Sequence, residues 1–260
     1  MKSKKSLGQN FLNDEVVVQK IIEAGEISEK DNVLEIGPGR GFLTRELIQQ
    51  AGRVLAVEKD EELAGFCRNS LAKKNLEILE GDVLEVDWKK ILTSRDFSSY
   101  KLIANIPYYI TGKILRLFLE NSFQPQILVL MVQKEVAERI CQKPGKLGIL
   151  SLSVQYFGKP EIVMIVPREK FNPTPDVDSA VIKIVVKKER RLELAEEKKF
   201  FRLVKVGFAS PRKTLVNNLS AGLGLGKEVV EKKLEKIGFN GKTRAQELDV
   251  GDWKGLIKKF

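Results

Sequence analysis

Residues 32–41 read Asn32-Val33-Leu34-Glu35-Ile36-Gly37-Pro38-Gly39-Arg40-Gly41, an apolar run that ends in three closely spaced glycines. The run predicts a buried strand, and the glycines predict a turn that leads into a helix and lets the backbone approach a ligand. The spacing differs from the GxGxxG of dinucleotide-binding proteins, because the third glycine comes one place early and a proline fills the first gap. A structural strand-to-helix turn has the same features, so the rest of the chain must decide the function.

Strand and helix patterns alternate on both sides of this segment. Apolar runs predict strands at 32–36, 53–58, 76–79, 101–104 and 127–132. Helices are predicted between them near 42–51, 60–73 and 112–121, and a further helix near 14–25 precedes the first strand. The alternation predicts an α/β fold with a Rossmann-like, mostly parallel sheet. Two later runs, at 162–166 and 180–186, are joined by a connector stiffened by prolines, and they predict an antiparallel hairpin at one sheet edge.

Helical patterns replace the strand signals after about residue 190. They cover 193–209, 211–221, 227–237 and 249–259, with glycines between them. We therefore predict two domains, an α/β domain over residues 1–189 and a small all-α domain over residues 190–260.

The composition excludes several kinds of chemistry. The 260 residues include no histidine and two cysteines, Cys67 and Cys141, without CxxC spacing. Histidine-dependent nucleophilic catalysis and histidine metal sites are thereby excluded, and we expect no metal. No apolar run is long enough to span a bilayer, and the basic N-terminus lacks an apolar signal region. We therefore expect a cytoplasmic protein without a membrane partner. We also expect a monomer.

The net charge of +10 is unevenly distributed along the chain. Residues 1–182 contain 25 Lys and Arg and 25 Asp and Glu, whereas residues 183–260 contain 20 against 10. Two explanations of the excess positive charge are about equally good. It could be an exposed lysine-rich helical surface, or it could be a polyanion-binding module attached to a neutral domain.

Three predicted strands end in residues suited to a nucleoside ligand. Glu58 ends the strand after the glycine turn, where a carboxylate can accept both ribose hydroxyls, and Asp82 follows the next strand and could accept from an adenine amine. The carboxyl ends of parallel strands share one sheet edge, where ligands bind in open α/β folds. S-adenosylmethionine fits better than NAD, because it has no pyrophosphate that requires the longer glycine loop.

The segment Asn105-Ile106-Pro107-Tyr108 follows a fourth strand and suggests the acceptor. The Asn105 side chain and the Ile106 carbonyl offer two oxygen acceptors for an exocyclic amine, Pro107 stiffens the backbone, and Tyr108 supplies an aromatic face. Together these residues predict methyl transfer to a nucleobase nitrogen, which requires alignment of two reactants more than a strong base.

The chain resembles the bacterial small-subunit ribosomal RNA adenine dimethyltransferases over nearly its whole length. The resemblance is carried by several motifs in a fixed order: Leu7-Gly8-Gln9-Asn10-Phe11-Leu12, Glu35-Ile36-Gly37-Pro38-Gly39, Glu58, Gly81-Asp82, Asn105-Ile106-Pro107-Tyr108, Phe171 with Pro173 and Pro175, and Pro211-Arg212-Lys213-Thr214-Leu215 followed by Asn217-Asn218-Leu219. It implies a class I methyltransferase sheet and dimethylation of N6 on two adjacent adenosines in the 3′-terminal hairpin of small-subunit (16S) rRNA, as a step in subunit maturation.

The resemblance also implies roles for individual residues. Tyr108 and Phe171 would stack on the target base, and Arg212 and Lys213 are our first candidates for phosphate contacts. The partner would be 16S rRNA in an immature small subunit. The S-adenosylmethionine pocket would be lined by Asn10, Leu12, Gly37, Glu58, Asp82 and Asn105.

Other functions remain open from the sequence. The related large-subunit methyltransferases that confer macrolide resistance share most motifs, although Tyr108-Tyr109-Ile110-Thr111 and the Arg-Lys-Thr-Leu segment favour the small subunit. An assembly factor that mainly binds ribosomes is a second alternative, and an NAD oxidoreductase is a distant third.

Overall fold

The computed structural model describes residue 4, residues 8–187 and residues 192–260. Leu7 of the first motif and the predicted domain boundary at 189/190 lie outside these residues. The strands are β1 Phe11–Leu12, β2 Asn32–Ile36, β3 Arg53–Glu58, β4 Leu76–Glu80, β5 Lys101–Asn105, β6 Ile127–Gln133, β7 Gly158–Val166, β8 Phe171–Asn172 and β9 Ser179–Val186. The α-helices are α1 Glu15–Gly25, α2 Phe42–Gln50, α3 Glu61–Ser70, α4 Trp88–Ser94, α5 Thr111–Leu119, α6 Lys134–Ile140, α7 Ile149–Phe157, α8 Leu194–Gly207, α9 Leu215–Leu223, α10 Lys227–Glu235 and α11 Val250–Ile257.

Within the described residues, seven strands form one mixed sheet in the order β4-β3-β2-β5-β6-β9-β7. The first five strands run parallel, and β9 pairs antiparallel with both β6 and β7. The α/β fold and the antiparallel strands at one edge are therefore confirmed. Chain order reverses beside β2, which has β3 on one side and β5 on the other, and this arrangement creates a crevice at the carboxyl ends of the two central strands.

The sheet is covered on both faces. Val33 to Ile36 of β2 are all buried although successive side chains point to opposite faces. On one face, α1 and α2 contribute side chains such as Ile21 and Leu47 to a core shared with strands β2, β5, β6 and β9. Asp14 starts α1 by accepting a hydrogen bond from the backbone N–H of Val17, which satisfies one of the backbone donors left free at the start of the helix.

A small second sheet was absent from the sequence predictions. Strands β1 and β8 pair antiparallel, with Phe11 opposite Asn172 and Leu12 opposite Phe171. The backbone N–H of Asn13 extends this pairing by donating to the carbonyl of Lys170. Strands of two residues carry almost no periodic signal, which explains why the sequence did not reveal them.

The chain divides into two compact units, of which the first comprises residues up to 137 and residues 158–187. The second comprises residues 138–157 and 188–260, so α7 packs with the C-terminal helices although it precedes β7 in the chain. Aromatic rings of Tyr156, Phe200 and Phe201 lie within about 5 Å of one another and join α7 to α8. No helix in the described part of the chain has both the length and the apolar composition needed to cross a bilayer.

Candidate active site

A cavity of about 280 Å³ opens at the carboxyl ends of β2 to β5. It lies in the first unit, at the crevice that the strand order creates. Each strand contributes a segment to its wall, and residues 8–12 complete the wall from the N-terminal side. The predicted site residues that line it are Asn10, Leu12, Gly37, Glu58, Asp82, Asn105, Ile106, Pro107 and Tyr108.

Glu58 is held rigidly at the end of β3. Its side-chain oxygen Oε2 accepts a hydrogen bond from the backbone N–H of Gly39 at 3.1 Å, and Oε1 accepts from the N–H of Asp60 at 2.9 Å. Burial raises the pKa of the carboxyl, while these two hydrogen bonds act in the opposite direction. Each oxygen keeps a free lone pair, so the carboxylate can still accept two hydroxyl groups.

The glycine turn is shaped by backbone conformation and by close packing. Three glycines of the turn have positive φ values, which residues with a Cβ rarely adopt. They are Gly37 at 68°, Gly39 at 57° and Gly41 at 74°. A Cβ on Gly37 would meet only the Asn105 carbonyl, at 3.8 Å, so this glycine leaves open space between the turn and the end of β5. A Cβ on Gly39 would lie 3.0 Å from the Phe11 ring, which shows how closely the N-terminal segment packs on the turn.

The N-terminal segment is anchored by Asp60, which follows β3. Gln9 donates to Asp60 Oδ2 at 3.1 Å, and the side chain of Lys4 binds Oδ1 of the same carboxylate at 2.9 Å. Asp60 is 4% exposed, and its pKa is lowered because the hydrogen bonds and charge of these partners outweigh burial. Gln9 and Asp60 were missed as site residues, although Gln9 stands inside the first motif.

Asp82 is paired with Lys59, which the sequence did not indicate as a site residue. Oδ1 accepts from the backbone N–H of Leu84 at 2.9 Å, and Oδ2 forms a 2.8 Å ion pair with Lys59. The hydrogen bond from Lys59 is the main cause of the lowered pKa of Asp82, which is therefore ionised at neutral pH. An adenine amine at Asp82 would have to share the carboxylate with Lys59.

Asn105 bridges the N-terminal segment and the end of β5. Its side-chain nitrogen donates to the Asn10 carbonyl at 3.3 Å, which directs the amide and leaves Oδ1 as a hydrogen-bond acceptor at the cavity. Ile106 is 2% exposed, and Pro107 has φ −56° and ψ 133° before the short 3-10 helix Tyr108–Ile110. Packing of Ile106 and the fixed φ of Pro107 therefore both restrict the backbone of the turn.

Tyr108 is held by the hairpin strand β9. Its hydroxyl group shares a 2.7 Å hydrogen bond with Ser179, whose side chain is completely buried. Burial is the main cause of the raised pKa of Tyr108, so the hydroxyl keeps its proton at neutral pH. The ring can serve as a wall for a flat ligand, but it offers no base.

Phe171 is placed differently from the expectation. It is 4% exposed, packs in the core that includes Leu12, and does not line the cavity. Phe171 therefore does not share the cavity wall with Tyr108, and it lies opposite Leu12 in the pairing of β8 with β1. Its stacking on the target base stays a prediction.

Glu35 lines the cavity, and the sequence did not indicate its protonation state. It is 1% exposed, and its Oε2 has no hydrogen-bond partner among the described residues. Burial raises the pKa of this carboxyl to about 8, and the nearby charge of Glu58 acts in the same direction. Glu35 is therefore largely protonated at neutral pH.

Arg212 and Lys213 lie in the second unit, on an exposed loop that precedes α9. Asn218, which is 5% exposed, fixes this loop by donating to the carbonyls of Gly207 and Ser210 at 2.6 and 3.1 Å. Thr214 caps α9 by accepting from the N–H of Asn217. The motif around Arg212 thus builds a loop that presents two cations to solvent.

Comparison with known proteins gives matches over the full length. The ribosomal RNA adenine dimethylase family matches residues 1–260. Ribosomal RNA small subunit methyltransferase A of Dehalococcoides mccartyi is 41% identical over 265 residues, which cover 100% of this chain and 89% of that relative. The protein of the same name from Fusobacterium nucleatum is 41% identical over 263 residues, which cover 100% of this chain and 98% of that relative.

Solved structures show the same fold. The 23S rRNA methyltransferase ErmE has a TM-score of 0.80 at 27% identity, covering 96% of this chain and 99% of that protein. A dimethyladenosine transferase from Plasmodium falciparum also has a TM-score of 0.80 at 27% identity, covering 95% of each chain. The mixed sheet is thus that of a Rossmann-like RNA methyltransferase. Within this class, the chain belongs to the ribosomal RNA adenine dimethylase family.

Proposed function

We propose that this protein uses S-adenosylmethionine to dimethylate N6 of two adjacent adenosines in the 3′-terminal hairpin of small-subunit rRNA. The observation that carries the proposal is the position of the Asn105–Tyr108 turn, which shares one cavity with Glu58 and the glycine turn. The acceptors that suit an amine and the carboxylate that suits a ribose therefore line the same space. The relatives named for the small subunit are 41% identical, whereas ErmE, named for 23S rRNA, is 27% identical.

The residues present fit S-adenosylmethionine. Glu58 offers free lone pairs to the ribose hydroxyls, Asp82 offers a carboxylate to the adenine amine, and Gly37 leaves open space for the methionine part. Asn10 and Leu12 would close the pocket from the N-terminal side. When bound there, the compound supplies an electrophilic methyl group.

The protein's contribution to the reaction is alignment. The N6 lone pair of adenine is delocalised into the ring, so the amine is a poor nucleophile until its hydrogens are held. Asn105 Oδ1 and the Ile106 carbonyl would accept these hydrogens and turn the lone pair toward the methyl group, while Tyr108 supports the base. In each round N6 would bond to the methyl carbon as the bond from that carbon to the donor's sulfur breaks, S-adenosylhomocysteine would leave, and one N6 proton would pass to water. Alignment of this kind supplies a large part of a rate enhancement.

Access to the cavity requires the target adenosine to leave its stack. Extrusion costs a few kcal/mol and costs least in loops, so a terminal hairpin is a suitable substrate. In the second unit, Arg212 and Lys213 would bind phosphates, and this unit carries 21 Lys and Arg against 11 Asp and Glu. Its binding to RNA would be consistent with an additional role in subunit maturation.

The substrate is tested by incubating the protein with labelled S-adenosylmethionine and with unmethylated small or large ribosomal subunits, followed by mapping of the modified bases. We expect N6,N6-dimethyladenosine at two adjacent positions near the 3′ end of small-subunit rRNA. Labelling of the large subunit alone would instead support the macrolide-resistance type of activity. Binding without labelling of either particle would support an assembly factor.

The role of the turn is tested with Asn105→Ala. We expect kcat to fall by about a hundredfold, because the amine is no longer aligned, while calorimetry still detects binding of S-adenosylmethionine. Asn32→Ala is a matched control, since Asn32 also donates to a backbone carbonyl, of Ser99 at 3.2 Å, but begins β2 at the opposite end of the sheet. Substantial turnover by Asn105→Ala would contradict the amine-holding role.

A further inference from the structure

Tyr109 is an exposed ring beside a catalytic turn whose other residues are mostly enclosed. It is 63% exposed, and it is the only aromatic residue among the large exposed hydrophobic side chains of the described part of the chain. Its neighbour Tyr108 is half-buried, and its hydroxyl group forms a hydrogen bond with that of Ser179. Two successive tyrosines therefore have different environments, one inside the cavity wall and one at its rim.

The position of the ring is set by its surroundings. Tyr109 belongs to the short helix Tyr108–Ile110 and lines the cavity that holds Asn105. A Cβ on Gly8 would lie 3.2 Å from Cε1 of Tyr109, and Gly8 has φ +62°, so the N-terminal segment passes close to one edge of the ring. No hydrogen bond of the Tyr109 hydroxyl is found within the described residues, which leaves the aromatic surface as the feature it presents.

Cations stand at the same rim. Lys59 has a side chain that is 57% exposed, and Lys113 is exposed one turn beyond Tyr109; both line the cavity. Lys59 is partly neutralised by Asp82, and Lys113 is close enough to Asp82 to lower the pKa of that carboxyl further. An aromatic face beside cations is the combination that binds single-stranded nucleic acid, since bases stack on the ring while cations hold the backbone.

We propose that Tyr109 stacks on the nucleotide that flanks the target adenosine, and so positions the RNA strand while the target base occupies the cavity. The proposal rests on the proposed function, because it requires an RNA acceptor. One base enters beside Tyr108 and Asn105, and the adjoining nucleotide must then cross the rim where Tyr109 lies. Stacking tolerates any base, so the same ring can support the strand when either of two adjacent adenosines is in the cavity.

The test compares wild type, Tyr109→Leu and Tyr109→Phe in methylation of unmethylated small subunits, with calorimetry for S-adenosylmethionine. Tyr109→Leu keeps apolar bulk but removes the aromatic face, and we expect its KM for the particles to rise about 5- to 150-fold. Tyr109→Phe keeps the face and should stay within about threefold of wild type. Affinity for S-adenosylmethionine should be unchanged in both variants, since the ring contacts RNA and not the donor.

Three results would overturn the inference. Tyr109→Leu could retain the wild-type KM for particles, it could weaken S-adenosylmethionine binding instead, or Tyr109→Phe could be as impaired as Tyr109→Leu. The second result would identify the ring as a cover for the donor, and the third would assign the role to the hydroxyl group. If the wild-type protein does not methylate the particles, the proposed function is refuted, and this inference with it. The wild-type assay therefore distinguishes that outcome from a failure of the Tyr109 inference alone.

Discussion

Glu35 shows how burial changes the chemistry of one residue. In the sequence it is an acidic residue within a strand, but in the structure it is 1% exposed beside Glu58 and its pKa is raised to about 8. In the unfolded chain a glutamate titrates near pH 4.3. Between these values the folded protein binds a proton that the unfolded chain lacks, so rising pH destabilises the fold over this window.

Glu35→Gln tests this protonation state. The amide resembles the neutral acid in shape, so the variant should lose the contribution of Glu35 to the pH dependence of stability. We expect the free energy of unfolding of wild type, relative to the variant, to fall by up to about 1.4 kcal/mol per pH unit from pH 5 to pH 8. Unfolding in guanidinium chloride at several pH values measures this free energy for each protein. Glu61→Gln is the control, because Glu61 is an exposed glutamate in α3. Parallel pH profiles of wild type and Glu35→Gln would contradict a protonated Glu35.

At the level of elements, the glycine turn and the N-terminal segment form one structure. The Phe11 ring packs on Gly39, the Arg40 guanidinium lies 4.5 Å from the centre of the same ring, and the buried Cys67 thiol donates to the Gly39 carbonyl. Burial raises the pKa of Cys67 to about 12, so it remains a thiol and keeps this donor. The glycine turn that lines the cavity thus depends on contacts from β1 and α3.

Gly39→Ala tests this dependence. Alanine at this position would have to adopt a left-handed backbone conformation, and its Cβ would lie 3.0 Å from the Phe11 ring. We therefore expect the free energy of unfolding to fall by about 1–3 kcal/mol. We also expect weaker binding of S-adenosylmethionine. Gly65→Ala is the matched control, because a Cβ there meets nothing within 4 Å and lies inside α3. It should stabilise the protein by about 0.5–1 kcal/mol. Equal effects of the two substitutions on donor affinity would contradict the packing argument.

At the scale of the whole molecule, the two units differ in net charge. The first unit contains 24 Lys and Arg and 24 Asp and Glu, so the full excess of ten positive charges belongs to the helical second unit. A neutral catalytic unit and a cationic helical unit suit a substrate that is bound through many phosphates and modified at one base at a time. Affinity for such a substrate falls steeply with salt.

Arg212→Gln combined with Lys213→Gln tests the contribution of the loop before α9. We expect weaker RNA binding, and the slope of log K against log salt should decrease in magnitude by about 1.4–1.8, because two phosphate contacts are lost. Filter binding at several salt concentrations measures the slope. The pair Lys73→Gln and Lys74→Gln, also exposed but in the first unit and away from the cavity, is the control. An unchanged slope for the Arg212 and Lys213 variant would rule out phosphate contacts by this loop.

Much of the fold could be predicted because its signals are local. The strands at 32–36 and 53–58 have the predicted bounds, since apolar runs there begin and end at polar or glycine residues. The parallel sheet then brings Gly37, Glu58, Asp82 and Asn105 to one edge, as their positions after successive strands indicated. The helix Trp88–Ser94 was missed, because seven residues give too short a periodic pattern.

Tertiary structure decided what depends on residues far apart in the chain. Pairing of Leu12 with Phe171 places that ring in the core, Lys59 reaches Asp82 across two strand ends, and residues 138–157 join the C-terminal helices. The sequence could establish the order of elements and the residues at each strand end, because propensity and periodicity act over a few neighbours. Burial, ion pairing and protonation depend on which distant segments meet, and that is settled only when the chain packs.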